Sequence, residues 1–220
     1  MLDAVRRAWE GQADVSLATL FAMLANRGIG WGSSDEDLLC ELAELERQHP
    51  GELPLIDARV TARYLLQTEE PAHRVTVDPW RIIARRPGVT TQPGVWDYAT
   101  VRTAVVGGPL VLTSADGIEH RLGVLSRITL LDATPTASVT SLDGLRRRAM
   151  GDAVYLIVLE DDSQVLLSGA LEHFAAGRRE LRQESRSWEQ LLRCTPGEAF
   201  TVQPGGVDYA AVRQILVVEA

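Results

Sequence analysis

Lysine is entirely absent from this chain, so all 22 of its basic residues are arginine. A GC-rich coding sequence is the simplest source of that bias. A functional origin, two-pronged anion binding by guanidinium forks, requires the arginines to cluster. Cysteine is scarce too. Cys40 and Cys194 lie far apart in unlike settings and read as reduced thiols of a cytoplasmic protein. Aromatic residues make up 5% of the chain, so any core rests on Leu, Val, Ala and Ile. No apolar run approaches the roughly 20 residues that cross a bilayer. Met1 to Glu10 also lack the apolar stretch of a secretory signal, and no membrane association is expected.

The usual marks of catalysis are missing as well. His49, His73, His120 and His173 are scattered without H-x-x-H or C-x-x-C spacing, so neither a metal nor any other cofactor is expected. No G-x-S-x-G elbow occurs. Gly28-Ile29-Gly30-Trp31-Gly32 lacks the G-x-G-x-x-G spacing and follows a helical pattern rather than a strand, which reads as a tight turn. Asp116, Glu119 and His120 sit close in sequence, but strand alternation places Glu119 and His120 on opposite faces.

What is present begins with helices. Ser16 to Asn26 carries Leu17, Leu20, Phe21 and Leu24 at helical spacing, with Gly28 as a stop. Ser34 with Asp37 forms a variant capping box ahead of Leu38, Leu39, Leu42 and Leu45, and the pattern ends before His49-Pro50. Beyond residue 60 the period becomes that of strands. Hairpins are expected around Glu69-Glu70-Pro71, Ser114-Ala115-Asp116-Gly117 and Asp161-Asp162-Ser163. Residues 133–143 are rich in Thr, Ser, Ala and Pro and read as a linker, and Glu172 to Arg193 reads as a helical insertion interrupted near Gly177.

An eleven-residue phrase occurs twice. Gln92-Pro93-Gly94-Val95-Trp96-Asp97-Tyr98-Ala99-Thr100-Val101-Arg102 returns, with eight identities, as Gln203 to Arg213, 111 positions later. Tyr64-Leu65-Leu66 also resembles Tyr155-Leu156-Ile157. The expected fold is therefore α+β: a helical module at 1–59, then a duplicated, mostly antiparallel β body of small barrels or a sandwich. Its parts are a first β unit with the central hairpin at 60–132, a linker at 133–151, and a second unit with the helical insertion at 152–220.

The first third also has the order of a winged helix, with Leu55 to Arg63 as third helix and the following hairpin as wing. In residues 1–50, however, four arginines face nine acids, a poor surface for phosphates. Net charge is −8, which disfavours nucleic acid generally. Only Arg59, Arg63 and Arg74 would favour DNA.

The sharpest basic tract is Arg146-Arg147-Arg148, with no acid until Asp152. The Arg178-Arg179, Arg182 and Arg186 series is interleaved with Glu180 and Glu184 and reads as a solvated helix. Trp31 is a candidate anchor for a partner, and Tyr98, Tyr209, Arg102 and Arg213 recur within the repeated phrase. These features favour a non-catalytic, cytoplasmic adaptor that binds another protein, with a homodimer also open. The alternatives are a DNA-binding regulator and a hydrolase or transferase with a cleft between the β units.

Overall fold

The computed structural model describes residues 1–12, 14–89, 91–176 and 181–219. The chain divides into two compact units, Met1–Pro135 and Thr136–Ala220. The fold is mixed: a few helices, then antiparallel strands throughout.

The first unit opens with α1 (Leu2–Glu10), α2 (Leu17–Asn26) and α3 (Asp35–Gln48). The Ser16 hydroxyl caps α2 by accepting from the Thr19 N–H at 3.2 Å, and Gly28 follows with φ of 94°. The Ser34–Asp37 capping box closes in both directions at the start of α3. Leu20 and Leu24 of α2 meet Leu42 and Leu45 of α3 and Ala4 and Ala8 of α1 in one small core. Leu17 and Phe21, although at helical spacing, remain exposed.

The same unit continues as a closed six-stranded barrel, β1 (Arg63–Glu69), β2 (His73–Val77), β3 (Arg81–Arg85), β4 (Gly94–Val101), β5 (Pro109–Ser114) and β6 (Glu119–Asp132), joined in chain order with β6 returning to β1. Leu66, Val75, Val77, Leu110, Leu125 and Ile128 fill its interior. Closure leaves no edge for another chain to pair with. Gly123 lets β6 pass the β1–β2 turn, because a Cβ there would run into the Glu69 and Pro71 carbonyl oxygens.

The expected winged helix is not seen. Leu55 to Arg63 forms no helix: Ile56 and Arg59 exchange backbone hydrogen bonds at 2.8 and 3.0 Å across Asp57 and Ala58, both at positive φ. The hairpin expected as a wing is β1–β2 of the barrel.

The second unit is a curled seven-stranded sheet in the order β10-β9-β8-β7-β13-β12-β11. Its strands are β7 (Val154–Leu159), β8 (Gln164–Leu167), β9 (Leu171–Ala176), β10 (Leu181–Arg186), β11 (Gln190–Arg193), β12 (Ala199–Gln203) and β13 (Val207–Glu219). Trp188, Leu191, Phe200, Val212 and Ile215 are fully buried in its core. The helical insertion expected at Glu172 to Arg193 is thus replaced by β9, β10 and β11. Arg182, Glu184 and Arg186 are spaced by two, a period that serves one face of a strand as well as it serves helical i,i+4 pairs. Gly177, Arg178, Arg179 and Glu180 lie outside the described residues. The expected linker is also partly structured: Val139 donates to the Ile215 carbonyl and Leu142 to the Cys194 carbonyl, both at 2.9 Å.

The two β units share their connectivity. In each, the first strand pairs with the second and the last. In the first unit, β4 pairs with β3 through Gly94–Asp97 and with β5 through Tyr98–Val101. In the second, those two roles fall to β10 and β11, separated by residues 187–189. Single hydrogen bonds correspond: Leu53 N–H to Ala104 O with Leu142 to Cys194, Val101 to Ala58 with Leu191 to Leu145, and Leu125 to Gly108 with Val212 to Glu198. Equivalent residues are therefore 87 to 91 positions apart. The repeated phrase, offset by 111, occupies non-equivalent strands. Tyr98 in β4 matches Trp188, whereas Tyr209 in β13 matches Leu122.

Candidate functional site

In the second unit, residues 139–147 run beside β11 and are pinned to it. Gly144 N–H donates to Leu191 O and Arg147 N–H to Glu189 O, each at 2.9 Å, while Gln190 Nε2 reaches Gly144 O at 3.3 Å. The Asp143 carboxylate accepts from the Cys194 N–H and, at 3.0 Å, from the Thr195 hydroxyl. Leu142 and Met150 bury on either side of the arginines. A short helix, α4 (Arg147–Met150), follows. Backbone and apolar neighbours are thus fixed, and the side chains between them face solvent.

Arg146, Arg147 and Arg148, all exposed, line a cleft of about 550 Å³ together with Gly169, Glu189, Gln190 and Gln203. Among the described residues no carboxylate comes within ion-pair distance of any of the three. Among the described residues, their one side-chain hydrogen bond runs from Arg147 Nη1 to Gly169 O at 3.5 Å. Several other arginines differ: Arg7 pairs with Glu46 and Arg102 with Glu119 at 2.9 Å, Arg47 with Glu44 at 2.6 Å and Arg213 with Asp162 at 2.8 Å.

The first unit shows what the same place looks like when filled. Arg59, which the corresponding hydrogen bonds make the counterpart of Arg146, donates to Pro79 O at 2.7 Å, to Ala99 O at 3.2 Å and to Tyr98 O. Its guanidinium also sits 4.3 Å over the Tyr98 ring. One arginine is fully engaged there, where the second unit presents three and satisfies one weakly.

The other expected contact residues do not gather. Trp31 stands fully exposed on its glycine turn and lines neither the cleft beside α1 and α3 nor the smaller one beside His49. Tyr98 is buried and its hydroxyl accepts from the Val60 N–H at 3.3 Å, a structural role. Tyr209 packs on His173 and Phe200 at 4.8 and 5.3 Å between ring centroids. Arg102 and Arg213 are held in ion pairs with Glu119 and with Asp162 and Glu160. For the regulator alternative, Arg59 is bound as above, and Arg63 is buried beside Asp78 and Asp132. Neither is presented to phosphates.

A Ser–His–Asp grouping, not anticipated in full, lies on the β5–β6 hairpin. His120 Nε2 is 3.2 Å from Ser114 Oγ, and the Ser114 hydroxyl donates to the Asp116 carboxylate. That hydrogen bond holds the Asp116 carboxyl below its usual range. The aspartate binds the serine rather than orienting the histidine, so the arrangement differs from a nucleophile–base–orienter relay. Ser114 and His120 share with Ile82, Trp96, Leu112 and Leu122 a pocket with no room for a water molecule, while Asp116 is exposed. Glu119 instead pairs with Arg102 and Arg121. Both cysteines are free. Cys40 is exposed, and burial with the nearby Asp143 charge pushes the Cys194 thiol up to about 12. No three His, Cys, Asp or Glu side chains gather for a metal among the described residues.

Sequence reasoning gave no sign of a larger cleft in the first unit, about 870 Å³, between α1, α3 and the barrel. Tyr64, 7% exposed, lines it, but its arginines, Arg7 and Arg47, are already paired with Glu46 and Glu44. Among the described residues no helix is long and apolar enough to cross a membrane. No protein-family model, curated protein or solved structure matches this chain.

Proposed function

We propose that this chain is a non-catalytic binding protein that holds an acidic segment of a partner protein in the cleft of Arg146, Arg147 and Arg148. The observation that carries this is the absence, among the described residues, of any carboxylate paired with three guanidiniums that share one concave surface. Unpaired arginine forks are well suited to bidentate anion recognition. The β units are further inferred to descend from one barrel, with corresponding hydrogen bonds as support. One copy then kept Arg59 as a structural plug, and the other opened the equivalent place to a ligand.

Fluorescence anisotropy with a labelled Glu/Asp-rich peptide tests the function. Wild type should bind more weakly as salt rises, and the R146A/R147A/R148A triple variant should lose most of the affinity and of that salt dependence. Equal binding by wild type and the triple variant at both low and high salt would remove this role from the cleft.

A further inference from the structure

We infer that the cleft prefers a phosphate dianion, presented as a phosphorylated side chain of the partner, over a carboxylate; this rests on the binding role proposed above. Charge is the first reason. Three guanidiniums face one carboxylate, Glu189, which makes no ion pair among the described residues, so the lining carries a surplus of two positive charges. A phosphomonoester brings about −1.5 to −2 charges at neutral pH and matches that surplus, whereas one carboxylate brings half. Glu189 also repels any anion that enters, and only a strongly attracted one offsets this.

Donor geometry is the second reason. Among the described residues, Arg146 and Arg148 have no hydrogen-bond partner for their guanidinium N–H groups, and Arg147 has one, at 3.5 Å. The three forks offer more donors than the two oxygens of a carboxylate can take, while a phosphoryl group exposes three strong acceptor oxygens. The Gln203 side chain adds a further amide on the wall. Size is the third. A cleft of about 550 Å³ lies within the roughly 300–1,000 Å³ of small-group sites. Its lining holds no aromatic ring on which a base would stack, and a nucleic-acid phosphodiester carries a single charge.

The test uses the full chain and three labelled peptides of one sequence, carrying at one position phosphoserine, glutamate or serine. Binding is read by anisotropy at pH 7.5, with inorganic phosphate and glycerol phosphate as competitors. The phosphoserine peptide should bind about tenfold or more tightly than the glutamate peptide, and the serine peptide weakest. An Arg→Lys triple variant, which keeps charge but loses the forks, should narrow that gap. Equal affinity for phosphoserine and glutamate peptides would overturn the phosphate preference and leave the acidic-partner role standing. No binding of either, with circular dichroism showing a folded chain, would overturn both. Competition by glycerol phosphate at the phosphopeptide's own affinity would overturn the peptide source in favour of a free phosphomonoester.

Discussion

Replacing Arg59 with alanine should unfold the first unit more readily by an amount its contacts allow us to bound. Arg59 makes three charge-assisted hydrogen bonds to carbonyl oxygens and lies 4.3 Å over the Tyr98 ring. A hydrogen bond from a charged donor contributes about 1.5–3 kcal/mol, and a cation–π contact about 0.5–1 kcal/mol at exposed sites. These contributions share one side chain. The exposed Ala99 and half-buried Pro79 carbonyls can return to water when it is removed, so simple addition overstates the loss. The expected cost is about 2–4 kcal/mol. With a urea slope of about 2 kcal/mol per molar, the midpoint should fall by about 1–2 M. Urea denaturation of the full chain, followed by far-UV circular dichroism, reads this as an early transition of one unit. R59K, which keeps the charge and loses the fork, should fall between. R147A, taken from the open cleft, should cost less than about 0.5 kcal/mol. If R59A and R147A shift the midpoint equally, the contrast between a plugged site and an open one is wrong.

Three further outcomes follow from the core and the thiols. Trp188→Ala should cost about 3–5 kcal/mol in the same denaturation assay, because the fully buried indole leaves a cavity and its Nε1 no longer donates to Ser168 O at 2.8 Å. A thiol reagent should modify Cys40 in the native chain and Cys194 only after unfolding; two equally fast thiols would contradict the burial of Cys194. The native fold keeps the Cys194 proton up to about 12, whereas an unfolded thiol releases it near 9.0. The stability this contributes is fully present below pH 9 and is lost as pH rises toward 12. C194A should flatten that part of the stability–pH profile, and an unchanged slope would assign it to other groups.

Much of the helical module was legible because its signals are local. The Ser34–Asp37 box and the Gly28 stop each act within a few residues. The Asp116-Gly117 hairpin was legible for the same reason, since Gly117 supplies a φ of 84°. Residues 172–193 were misread because alternating Glu and Arg satisfy two periods at once, and only the backbone pairing of β9 with β8 and of β11 with β12 selects the strand. Leu55 to Arg63 failed as a helix for a related reason: besides the local Ile56–Arg59 exchange, Ala58 O accepts at 2.8 Å from the N–H of Val101, far along the chain.

The repeated phrase misled differently. Identity of eight residues implied equivalent places, yet the two copies fall in strands with different neighbours. The faint likeness of Tyr64-Leu65-Leu66 to Tyr155-Leu156-Ile157 marks strands that do correspond, β1 and β7. A chain's pairing partners, rather than its similarity to itself, fix where a strand sits.

By itself the sequence determined the helix caps, the strand-rich body, the acidic net charge and the existence of one arginine tract without a neighbouring acid. Those properties depend on residues close together along the chain. Only the tertiary structure decided which arginines are engaged. Arg59 finds its acceptors 20 to 40 residues away, and Arg146, Arg147 and Arg148 find Gly169 and Gln203 on the wall of a cleft but, among the described residues, no carboxylate within ion-pair distance. Whether a charge is neutralised depends on distances of a few ångströms between remote segments, and folding sets those distances.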